Sequence, residues 1–176
     1  MNTLTSIPLR SLYWNYDKET FSLRCGDETI LDLKEEKHNF ASFHYNDLKY
    51  QIKNEGFWNP RTIIKNDTTQ VLELRRHFLG TKGEIIFNNG QTYICKIKNS
   101  PLVKLSFFTA DEKELLSFNL KTSLKPNAVK TIMDVNPDII PQDEMIMLIA
   151  LGCFSFKGIS MENQDSDFII MAAAGS

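Results

Sequence analysis

The chain has 176 residues, 42% of them hydrophobic and 24% charged, with a formal net charge of −2 at pH 7. A chain of this size buries roughly 70% of the surface it exposes when unfolded, so one core forms without metal or disulfide staples. Lys and Arg are scattered and only five of the twenty are Arg, which argues against nucleic acid, whose phosphates need clustered cations.

Residues 1–8 carry neither the basic run nor the apolar stretch of a secretory signal. Cys25, Cys95 and Cys153 are odd in number and far apart, the pattern of reduced thiols in a cytoplasm rather than of a disulfide framework. Twelve Phe and five Tyr favour strands. Apolar and polar residues alternate in short segments: Phe21, Leu23 and Cys25; Leu48, Tyr50 and Ile52; Leu72 and Leu74; Val103, Leu105 and Phe107; Leu116, Phe118 and Leu120. A period of two with one polar face predicts antiparallel strands buried on one side. Turn signals fall at Gly26-Asp27, Asn46-Asp47, Asn66-Asp67, 81–83 and 110–112. The strongest is Asn89-Gly90, between 84–87 and 92–97. It predicts a type I′ hairpin with positive φ at both residues and Phe87 approaching Thr92. Eleven or twelve candidate strands lie between Leu9 and Val135, and their spacing predicts a sandwich or barrel.

No low-complexity linker divides the chain, so 1–176 reads as one domain. Beyond Pro137 and Pro141, Asp143 and Glu144 precede an apolar run from Met145 to Phe154. Proline and acids at the start, with Met, Leu and Ala following, predict a helix over about 141–156. Being apolar on all sides, it belongs inside a core; a buried strand is the alternative for so short a run. The apolar stretch is well under the ~20 residues needed to span a bilayer. Residues 160–176 read as loop and tail or a last strand.

About a dozen strands followed by one all-apolar helix is a distinctive order. With Trp58-Asn59-Pro60-Arg61-Thr62-Ile63-Ile64-Lys65-Asn66-Asp67, Leu72-Glu73-Leu74-Arg75-Arg76, the Asn89-Gly90 hairpin and the apolar helix, it resembles the barrel of the LURP-one-related proteins, the tubby C-terminal domain and the phospholipid scramblases. The resemblance implies a mainly β protein: a closed antiparallel barrel of about twelve strands enclosing the C-terminal helix. Tubby-like members bind phosphoinositide head groups through surface Lys and Arg, and scramblases act at membranes. This chain shows no scramblase-type acidic calcium segment and no palmitoylated Cys cluster. Fold alone does not assign function.

Among polar residues, Arg75, Arg76 and Lys82 are the candidate ligand-binding group. On a strand Arg75 and Arg76 point to opposite faces, and a structural ion pair is the competing reading. His38, His44 and His77 lack metal-ligand spacing. The thiols lie in apolar phases or in the apolar helix, which suits small core residues rather than nucleophiles. Asp32, Glu35 and Glu36, among lysines, suit a solvated hairpin tip. Phe57-Trp58 suits a plug at one barrel end. The sequence therefore predicts a non-enzymatic binding or scaffold module, without cofactor or metal, whose partner is an unknown protein or a lipid head group. An anionic head-group binder is the alternative, and a hydrolase using His44 or His77 a second one.

Overall fold

The computed structural model describes residues 12–17, 20–25, 27–37, 39–56, 60–77, 81–98, 103–122, 129–136 and 140–173. Twelve strands follow one another as a single antiparallel sheet in chain order. They are β1 (Leu12–Asp17), β2 (Thr20–Cys25), β3 (Glu28–Lys37), β4 (Phe40–Tyr45), β5 (Leu48–Glu55), β6 (Arg61–Asn66), β7 (Thr69–Arg76), β8 (Lys82–Phe87), β9 (Thr92–Lys98), β10 (Lys104–Phe108), β11 (Glu114–Thr122) and β12 (Val129–Val135), followed by α1 (Gln142–Ala173). Each strand pairs with its neighbours in sequence, the connection that tight turns permit between antiparallel strands. Cα atoms of β1 and β12 come within 8 Å of one another. No hydrogen-bonded ladder joins these two strands among the described residues, so the ring of a closed barrel is not completed there.

Alternation divides the sheet into two faces. Ala41, Ile52, Ile64, Leu72 and Phe87 stand opposite one another across β4 to β8, and all join one buried apolar cluster. Into that cluster goes the start of α1. Seven consecutive residues, Met145 to Leu151, are each at most 5% exposed. At 3.6 residues per turn they point in every direction, so apolar side chains surround the helix. Phe118 stacks on Phe156, with ring centroids 5.8 Å apart. The Phe118 ring also fills the space where a side chain at position 152 would stand, which is why the helix carries Gly152 there.

Polar groups anchor both ends of this buried stretch. Tyr45 donates to Asp143 at 2.7 Å, and Asn89 Nδ2 to Glu144 at 2.9 Å, while Tyr93 also donates to Glu144. Burial and the bond to Asp143 push the Tyr45 hydroxyl up to about 12. Acids in a first turn also suit the positive end of the helix dipole. Thirteen residues along, Lys157 pairs with Glu35 of β3 and lies over the Phe21 ring. Glu35 thus faces the helix instead of joining a solvated tip.

Two local expectations need correction. The Asn89-Gly90 hairpin exists, but only Gly90 has positive φ, at 86°. Phe87 N donates to Gln91 O and Gly90 N to Phe87 O, and Ile86, not Phe87, stands opposite Thr92. This is a three-residue loop whose single left-handed position takes Gly. The two-residue turn with both φ positive lies instead at Asn46 (50°) and Asp47 (61°), between paired Tyr45 and Leu48. Second, α1 runs on to Ala173 where a loop or strand was expected over 160–176. No proline interrupts 142–173, and Met, Glu, Gln and Ala in that stretch favour helix.

Candidate functional site

The outer face of β3 to β7 carries the site. Its central row crosses four strands: Phe40 opposite Lys53, Lys53 opposite Ile63, Ile63 opposite Glu73. Ile63 is only 3% exposed, yet it stands outside the main apolar cluster. It is an apolar residue on the polar face, between Lys53 and Glu73 in the row.

Beside this row runs a chain of ion pairs. Lys53 meets Glu55 at 3.3 Å, Arg61 meets Glu55 at 3.1 Å and Glu73 at 3.6 Å, and Arg75 holds Glu73 through Nε at 3.1 Å. Arg75 Nη2 adds a second bond to Glu73 at 3.2 Å, a bidentate fork. The Arg75 bond holds the Glu73 carboxyl below its usual range, with Gln70 and Arg61 helping. Lys53, and then Arg61, do the same for Glu55.

Two concavities flank these pairs and share Glu55. The larger, of about 480 Å³, has Phe40 and Ile63 as apolar surface, with Gln51 and Glu36 beside them and Lys37, Lys53 and Lys65 around them. Among the described residues Lys37 and Lys65 form no ion pair. The smaller, of about 350 Å³, lies at the strand ends between Asn39, Asn54, Pro60, Arg61 and Arg76.

The three residues singled out from the sequence do not converge. Arg75 is held by Glu73 on the outer face. Arg76 takes the opposite phase and reaches the smaller concavity, where it joins Arg61. Lys82 stands opposite Lys96, whose ammonium goes to Glu112 at 2.8 Å. Lys37, Lys53, Lys65, Phe40 and Ile63 were missed. The signal for them was legible: Ile63-Ile64 and Phe40-Ala41 are adjacent apolar pairs, and a strand must turn one member of each outward.

The other polar candidates are separate. His44 and His77 are exposed. Among the described residues no cluster of His, Cys, Asp and Glu could hold a metal ion. Burial pushes the Cys95 thiol up to about 12 and raises that of Cys153, so neither offers a thiolate near neutrality. His38, Phe57, Trp58 and the Cys25 side chain lie outside the described residues. No helix among the described residues is long and apolar enough to cross a membrane. No family model, curated protein or solved structure matches the chain.

Proposed function

We propose that the protein is a non-enzymatic binding or scaffold module, a barrel closed around α1 in the manner of the LURP-one-related, tubby and scramblase superfamily, with its recognition surface on the outer face of β3 to β6. Closure is supported by the helix being apolar-lined on every side and by the approach of β1 to β12. The binding reading is carried by one observation: a concavity of about 480 Å³ that joins apolar surface to Lys37 and Lys65, which form no ion pair among the described residues. Small-molecule sites run from roughly 300 to 1,000 Å³ and combine apolar lining with a few polar groups. A hydrolase using His44 or His77 gains no support, since both side chains are exposed and line neither concavity. Amide NMR of the isotope-labelled protein, titrated with mixtures of small organic molecules, tests the binding face. Shifts concentrated in β3 to β6 are expected; shifts confined to other strands would overturn the reading.

A second reading, an anionic lipid head-group binder in a cytoplasmic setting, is favoured by the charge around the two concavities. Among the described residues Lys37, Lys53, Lys65, Arg61 and Arg76 outnumber the carboxylates that line the two concavities, Glu36 and Glu55. Co-sedimentation with vesicles, with and without anionic lipid, tests it. Binding that needs anionic lipid and weakens in Arg76→Gln supports the head-group reading, and equal binding to neutral vesicles removes it.

A further inference from the structure

We infer that the larger concavity takes a small organic anion with an apolar body, such as an aryl or medium-chain carboxylate or sulfonate. The inference rests on the reading of β3 to β6 as a binding face and names the chemistry of its ligand. Phe40 and Ile63 lie two strands apart in one register row with Lys53 between them, roughly 10 Å at the usual strand spacing. Ile63 is only 3% exposed, so the apolar part of the groove is the half-buried Phe40, the edge of Ile63 and the stem of Lys53.

The charge around that floor is net positive, with Lys37, Lys53 and Lys65 against Glu36 and Glu55. Glu55 is compensated by Lys53 and Arg61, and Glu36 accepts a hydrogen bond from Ser42 at 2.7 Å. Lys37 stands opposite Phe40, and Lys65 follows Ile63 by two positions on the same face of β6. Lys37 therefore borders the Phe40 end of the row and Lys65 flanks Ile63 along β6, while Glu73 beyond Ile63 is already held by Arg75. Either ammonium can form a charge-assisted bond to a carboxylate or sulfonate. The groove is too small for a folded partner, which needs about 800 Å² of surface per side. A bilayer is disfavoured as well: a chain of net charge −2 has no long-range attraction to an anionic membrane.

The probe is anilinonaphthalene sulfonate, with N-phenylnaphthylamine as its neutral counterpart, each titrated into the full chain and followed by fluorescence and amide NMR. The anionic probe is expected to bind once per chain, shift amides of β4 to β6 and outbind the neutral one. Lys37→Gln with Lys65→Gln should weaken it at least fivefold, about the effect of one charge-assisted bond at a partly solvated site. Lys113→Gln, in an exposed pair with Asp111, should leave it unchanged; a thermal melt checks that each variant is folded. If both probes bind equally in β4 to β6 and the lysine variant has no effect, the anion chemistry falls while the binding face stands. Shifts confined elsewhere overturn both. Protein that sediments with anionic vesicles yet ignores the soluble probe overturns the small-anion inference in favour of a membrane surface.

Discussion

Leu148 in the helix is 0% exposed and Ile63 on the outer face is 3% exposed, but their surroundings differ. Leu148 belongs to one cluster of buried apolar residues drawn from the helix and from strands β2 to β11. Ile63 lies on the outer face beside the long side chains of Lys53 and Lys65, over a groove open to water. Equal burial therefore conceals unequal rigidity. A packed wall cannot follow a lost methyl group, whereas lysine stems can fold down onto the gap. The inner region is fixed by packing on every side, and the outer one by long side chains that border water.

The largest effects should come from the inner region. Leu148→Lys should prevent cooperative folding, because the surrounding cluster offers an ammonium no partner; circular dichroism with a thermal melt reads this directly. Leu148→Ala should cost ~2–5 kcal/mol, the range for truncation in a rigid core. By contrast, Ile63→Ala should cost less than ~2 kcal/mol in urea unfolding, since the cost depends on how far a site collapses. Equal costs would erase the distinction drawn between the two regions.

Gly152→Ala tests how tightly the inner region is filled. Alanine gains about 1 kcal/mol over glycine in a helix, but the new methyl overlaps the Phe118 ring, and overpacking costs ~1–3 kcal/mol. A net loss of ~1–2 kcal/mol in urea unfolding is expected. A stabilised variant would mean that Phe118 has room to move.

Gly90→Val probes the loop through which Asn89 holds Glu144. Nothing lies within 4 Å of a Cβ placed there, so its cost is backbone strain alone, ~1–2 kcal/mol for a β-branched residue at positive φ. A drop in melting temperature measures it, and no drop would mean the loop rearranges freely.

The smallest effect belongs to the outer ion pairs. Glu73 has its carboxyl lowered from 4.5 on folding, so the folded state favours the charged form. The stability this contributes is complete above the unfolded value near 4.5 and is lost as pH falls through the lower folded value. Replacing Glu73 by Gln should cost about 1 kcal/mol at neutral pH, because Glu73 is buried but its partners Arg61 and Arg75 stay solvated when unpaired. Its gap from the unmodified protein should close in urea unfolding as the pH drops below 4.5; a constant gap would assign the effect to packing.

Local periodicity determined much of this architecture. Alternation located the strands, because one buried face forces a period of two. The uninterrupted apolar run marked a helix buried on all sides, since no polar stripe was left to face water. The opposite directions of Arg75 and Arg76 also followed from the pleat. Other features depend on partners distant in sequence. Asn89, in the loop at 88–90, reaches Glu144 55 positions away. Glu35 faces inward to meet Lys157, 122 positions along. Above all, the groove exists because register brings Phe40, Lys53 and Ile63 from three strands into one row. A sequence lists which residues alternate, but only strand pairing decides which of them become neighbours. That is why the tertiary structure, and not the Arg75-Arg76 motif, located the candidate site.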